Sequence, residues 1–207
     1  MSQIKALFLN ASLKNSEEQS NTEALWKEVG EIYDQEGIAH ESVRLADYYI
    51  PYGIDKDLGD GDEFPQILEK LKGADIVIIG TPVWSGEKSS IATKALERIY
   101  GSASETNEKG QSVFYNKVAG AVITGNEDGA KNAAQSILYR MSHMGFVIPP
   151  NVDAYWVGEA GPGPSYIEAN GIENDFTKSH VEMLAYNTMH LAKIFKEQPI
   201  PAVGNTQ

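Results

Sequence analysis

Three polar stretches hold residues whose types and spacing suit a ligand better than a core. The first runs Asn10-Ala11-Ser12-Leu13-Lys14-Asn15-Ser16, then Ser20-Asn21-Thr22. Hydroxyls, an amide and one cation beside the free N–H groups of a helix start suit a phosphate monoester. They also suit a plain helix start, because Ser20 and Glu23 have capping-box spacing. Glu17 and Glu18 would repel an anion there. The second stretch is Thr81-Pro82-Val83-Trp84-Ser85-Gly86-Glu87-Lys88. Proline and glycine shape a turn, and Trp84 could wall a planar ring; taken alone, a tryptophan packed loop on loop is the simpler reading. The third is Thr124-Gly125-Asn126-Glu127-Asp128-Gly129. Its two glycines let backbone N–H groups approach the polar edge of a heterocycle, and Asp128 is a candidate cap for the following helix. An ordinary strand-to-helix turn would read the same way.

Each stretch follows a short apolar run, and those runs must position them. Ile4–Leu9, Asp75–Gly80 and Val118–Ile123 are nearly continuous in apolar residues, as expected of strands buried on both faces of a parallel sheet. Glu41–Leu45 is a weaker strand, and Phe146-Val147-Ile148, stopped by Pro149-Pro150, is the expected last one. Helical spacing links Leu25, Val29, Ile32 and Tyr33, with Gly37 as the stop. Pro65 suits the first turn of a helix carrying Ile67, Leu68 and Leu71 and ended by Gly73. Further helices are marked by Ile91–Ile99, by Ala130–Met141 and by Met183–Phe195. Strands alternating with helices imply βαβ units, and ligands in such sheets sit beyond the carboxyl ends of the strands. Three ligand-suited loops after three parallel strands therefore converge on one crevice. That convergence outweighs the plain reading of each loop.

Composition narrows the partners. The 207 residues carry 42% hydrophobic and 22% charged side chains and a formal net charge of -12, enough for one domain with a real core. A broad face for nucleic acid or an anionic membrane is excluded by that charge. The absence of cysteine removes disulfides, thiolate nucleophiles and cysteine-ligated metal sites. With no signal-like or membrane-length apolar segment, a cytoplasmic location is expected. Residues 1–198 are read as a single domain and 199–207 as a loose tail.

The sequence resembles the NAD(P)H-dependent FMN reductase and quinone reductase-like family of the flavodoxin-like superfamily. Ser12, Lys14, Ser20, Asn21 and Thr22 match its phosphate loop, with Lys14 where an arginine is usual and Asn10 where a glycine is common. Gly80–Gly86, which contains Pro82, Val83, Trp84 and Ser85, matches the turn that lies along the flavin. Lys94 to Arg98 is similar to the lysine and Asp-Arg pair ending the next helix. Thr124, Gly125, Asn126, Glu127, Asp128 and Gly129 match the loop at the pyrimidine end of the ring, the most specific element. The similarity spans Ile4 to Ile148. It implies an α/β flavodoxin-like three-layer sandwich, with a five-stranded parallel sheet ordered 2-1-3-4-5 and FMN at the switch point. It also implies a ping-pong hydride transfer from NADPH or NADH to a small acceptor such as a quinone, an azo or nitro compound or a flavin. A homodimer or homotetramer is implied too, and no side chain need act as a nucleophile.

Two rivals stand beside that implication. One is a flavodoxin-type one-electron carrier, which the acidic charge suits. The other is a flavodoxin-fold binding protein without catalysis, favoured by Glu17-Glu18. Asp55, Asp57, Asp60, Asp62 and Glu63 fail the EF-hand pattern and read as a solvated acidic loop. His40, His143, His180 and His190 lack metalloprotease spacing. Gly158–Gly163 has the wrong spacing for a dinucleotide fingerprint. It reads first as a loop packing near the flavin or a subunit interface; with Tyr155, Trp156 and Tyr166 it is alternatively a wall for an acceptor pocket.

Overall fold

The computed structural model describes residues 3–207. In chain order it holds β1 (Lys5–Asn10), α1 (Asn21–Gln35), β2 (Ala39–Arg44), α2 (Phe64–Gly73), β3 (Ile76–Trp84) and β4 (Glu87–Lys88). Then come α3 (Ser90–Ser102), β5 (Val118–Gly125), α4 (Ala130–His143), β6 (Asp153–Val157) and α5 (Asp175–Glu197). Five strands are parallel in the order β2-β1-β3-β5-β6, and β4 folds back antiparallel on the end of β3. Leaving that two-residue hairpin aside, this is the expected flavodoxin-like order.

The period-2 geometry of the strands divides the core in two. Leu7 and Leu9, Val77 and Ile79, and Ala121 and Ile123 face the helices α2, α3 and α4. Phe8, Ile76, Ile78 and Val122 face α1 and α5, where Phe8 stacks on Trp26 at 4.4 Å between ring centroids. Strands buried on both faces explain the near-continuous apolar runs. Gly37, at φ +70, ends α1, and Pro65 lies in the first turn of α2, as their residue types dictate.

Three expectations are corrected. The last strand is Asp153–Val157, beyond the two prolines; Val147 makes only an isolated bridge to Val118. Asp128 does not cap α4, whose N-cap is Gly129 with no side-chain hydrogen bond. The acidic loop is not wholly solvated. The side chains of Asp62 and Arg98 are both 0% exposed and paired, with Arg98 Nη1 donating to Asp62 Oδ1 at 3.1 Å. Arg98 also donates to the carbonyls of Asp55 (2.7 Å) and Pro51 (3.2 Å), so it pins the 50–62 connection against α3. Segment 199–207 carries its own bonds, from Gln111 Nε2 to Ile200 O at 3.2 Å and from Gln207 N to Gly110 O at 2.9 Å.

Candidate active site

Beyond the carboxyl ends of β1, β3 and β5 lies a cleft of ≈570 Å³. At one end the chain leaves β1 through buried Asn10, whose Oδ1 accepts from Ser12 N at 3.0 Å and whose Nδ2 donates to Ser20 Oγ at 3.3 Å. The amide thus braces both ends of the 10–20 loop. Ser20 caps α1, its Oγ accepting from Glu23 N at 3.2 Å. The first N–H groups of α1 have no intrahelical acceptor and carry the positive end of the helix dipole. Ser12, Leu13, Lys14, Gln19, Ser20, Asn21 and Thr22 line this end.

Beneath the loop sits Arg44, the last residue of β2, its side chain 7% exposed. Its Nη1 donates to the carbonyls of Lys14 (3.2 Å), Asn15 (2.7 Å) and Glu18 (3.3 Å), and its Nη2 pairs with the Glu23 carboxylate. The capping box is therefore half made. Ser20 caps Glu23 N, while the Glu23 carboxylate is taken by Arg44.

The middle of the cleft is formed by Pro82, Val83, Trp84 and Ser85. Trp84 is 56% exposed, so its ring is a surface, not a core plug. Ser85 sits at φ +52, the left-handed turn that swings the chain back into β4. The far end is lined by Thr124, Gly125, Asn126 and Glu127. Thr22 Oγ1 and Thr124 Oγ1 meet at 3.0 Å and join the two ends.

Thirteen of the sixteen expected residues line this one cleft. Gly86, Asp128 and Gly129 stand behind it. A Cβ on Gly129, whose φ is +128, would lie 2.4 Å from Gly86 O, and one on Gly125 would lie 2.9 Å from Val83 Cβ. Gly129 thus lets its loop approach the β3–β4 turn, and Gly125 lets the end of β5 pack against Val83 of β3.

Sequence reasoning placed no cofactor residue beyond 129, yet Trp156, Gly161 and Tyr166 complete the lining. The 158–167 segment is strapped across the cleft. Gly158 N donates to Gly125 O (2.8 Å), Asn126 Nδ2 to the carbonyls of Gly163 (3.0 Å) and Pro164 (2.8 Å), and Ile167 N to Asn21 Oδ1 (3.0 Å). Asn21 and Asn126 thus use their side chains to hold the strap. The Tyr166 hydroxyl is buried and has no hydrogen-bond partner among the described residues. Burial first, and then the Glu28 carboxylate, push its pKa up, so it is a protonated donor at neutral pH.

The chain matches the model of the NADPH-dependent FMN reductase family over residues 4–160. It belongs to that family. An 8-demethyl-8-aminoriboflavin-5'-phosphate synthase of Streptomyces davaonensis is 37% identical over 205 residues, covering 95% of this chain and 80% of that protein. The crystal structure of RosB with a bound 8-demethyl-8-formylriboflavin-5'-phosphate intermediate superposes with a TM-score of 0.88 at 37% identity, over 95% of this chain and 82% of that one. A Mycobacterium bovis protein described as divalent metal cation transporter MntH is 39% identical over 199 residues, 93% of this chain. The chain spans only 29% of that relative's length. Among the described residues no helix is long and apolar enough to cross a membrane, and no group of three or more His, Asp or Glu side chains is placed to hold a metal ion.

Proposed function

We propose that this member of the FMN reductase family is an oxidoreductase that holds FMN in the cleft, takes electrons from NADPH or NADH, and passes them to a small acceptor. The observation that carries the reading is the sequence of chemistries along one cleft. Hydroxyls, a lysine and the start of a helix lie at the α1 end, an exposed aromatic ring in the middle, and Thr124 to Glu127 at the β5 end. The volume is within the range of small-molecule and cofactor sites. Ser12, Lys14, Ser20 and the first N–H groups of α1 would hold the phosphate. Pro82 to Ser85 would lie along the ring, and Thr124 to Glu127 would meet its polar edge.

Bound there, the flavin would supply the hydride chemistry, and the protein its binding, orientation and electrostatics. Amide donors at the β5 end stabilise negative charge next to them without reorganising. The strap and the nearly buried Trp156 would screen a bound ring from water, and the exposed Trp84 would offer a planar partner a surface. Among the candidate residues no nucleophile or acid–base pair is required. The test is an anaerobic visible spectrum of FMN-loaded, desalted protein before and after NADPH or NADH. Retained flavin absorbance that bleaches supports the reading. Retained absorbance that ignores both nucleotides turns it towards an electron carrier fed by another protein.

The resemblance to a synthase of an 8-modified riboflavin phosphate favours a second reading, in which a flavin phosphate is substrate. Mass spectrometry of the flavin recovered after turnover separates the two. An unchanged FMN mass supports the reductase, and a changed mass the flavin-modifying enzyme.

A further inference from the structure

We propose that Arg44 is the positioning residue of the phosphate end of the cleft: it turns the 14–18 loop's carbonyls inward and draws Glu23 off the N-terminus of α1, so that the donors there face the ligand uncontested. The inference rests on the phosphate placement above and goes beyond it, because Arg44 itself does not line the cleft.

The argument starts from what an anion cannot tolerate. A loop rich in N–H and O–H donors carries equally many carbonyls, and any of these facing a phosphate repels it. Glu17, Glu18 and Glu23 add three carboxylates around the same loop. One guanidinium resolves much of this conflict. Its five donors lie in a fixed plane, and three carbonyls of a tight loop converge on one terminal nitrogen while a carboxylate meets the other. Bonds from a charged donor that is itself nearly buried are stronger than neutral ones, so the loop is held with these carbonyls bound to Arg44 and away from the ligand.

Glu23 matters as much as the carbonyls. In a complete capping box its carboxylate would bond the Ser20 N–H. It would then occupy a donor and set a negative charge at the α1 end where the phosphate is placed. Pairing with Arg44 removes both objections. Lysine could not do this work, having one nitrogen in place of a planar fork. Both terminal nitrogens bond to the loop or to Glu23, and Arg44 does not line the cleft, so it acts through the loop and not as a phosphate ligand.

The experiment measures FMN and riboflavin dissociation constants, at one pH and ionic strength, for the wild-type protein, Arg44→Met and Arg44→Lys. Each apoprotein's circular dichroism and melting midpoint are recorded alongside. Expected is a loss of FMN affinity of about tenfold or more in both variants, with riboflavin affinity changed by about twofold or less, since only the phosphate is affected. The FMN-to-riboflavin ratio is a readout that a merely structural role would not move. Equal loss for both ligands, or an unchanged ratio in a folded variant, overturns the proposal while leaving the phosphate placement standing. A wild-type protein that does not prefer FMN over riboflavin overturns the placement itself, and Arg44's role with it. Should Arg44→Met fail to fold, Arg44→Lys, which keeps the charge and the buried stem, decides by the same criterion.

Discussion

Single side chains give the cleft one end rich in hydroxyls with a lysine and a middle with an exposed aromatic ring. Lys14 lines the end where the phosphate is proposed to sit, so Lys14→Glu is expected to weaken FMN by about tenfold or more and riboflavin much less. Fluorescence titration with the two ligands checks this, and equal losses would refute the phosphate placement. Tyr166 allows a different prediction. Its hydroxyl is buried without a partner among the described residues, so Tyr166→Phe is expected to leave the apoprotein as stable or raise its stability by about 1 kcal/mol. Urea unfolding of the apoprotein measures it. A clear destabilisation would show that the hydroxyl is satisfied in solution. Most site residues were legible because hydroxyls, glycines and a tryptophan after apolar runs are visible in one dimension. Arg44 was not, since three of its four partners are carbonyls, which every residue has.

At the scale of elements, the connection between β2 and α2 is secured by the Asp62–Arg98 pair. Burial alone would raise the Asp62 carboxyl. Hydrogen bonds from Arg98, Leu58 N–H and Phe64 N–H, with the Arg98 charge, outweigh burial and hold its pKa below the ordinary 3.8. A carboxyl depressed in the folded state stabilises it fully above the unfolded pKa and loses that contribution as pH falls through the folded one. Asp62→Asn leaves the Arg98 charge without its counter-ion, at a cost of about 3–5 kcal/mol near pH 7. The gap between wild type and variant, followed by denaturant unfolding, should close as pH drops below 3.8. A gap independent of pH would mean that the pair's charge contributes nothing. Asp62 could not be told from Asp55, Asp57 and Asp60 in the sequence, because a pair 36 residues apart has no local pattern. The misplaced last strand has a similar cause. Asp153-Ala154-Tyr155-Trp156-Val157 is a half-buried edge strand without a continuous apolar run, whereas Phe146-Val147-Ile148 has one but meets only a single bridge. The central strands, buried on both faces, were legible for the opposite reason.

The whole molecule carries a net charge of -12, and its candidate electron donors are anions. Long-range repulsion slows their encounter, and salt screens it. The second-order rate constant kcat/KM for NADPH should therefore rise by about two- to fivefold between low salt and physiological ionic strength, and less for NADH, which has fewer charges. A fall with salt would reveal a local basic funnel that overrides the global field.

The strap across the cleft also bears on when the site comes into being during synthesis. Ile167 reaches Asn21 across 146 residues, and Thr124 reaches Thr22 across 102. Such contacts close large loops, and their entropic cost falls late in folding. A nascent chain that has released β1 and α1 already has the phosphate-end loop but neither the third loop nor the strap. Under the proposed reading, ligand capture therefore waits until residue 167 has emerged and the strap has closed on Asn21.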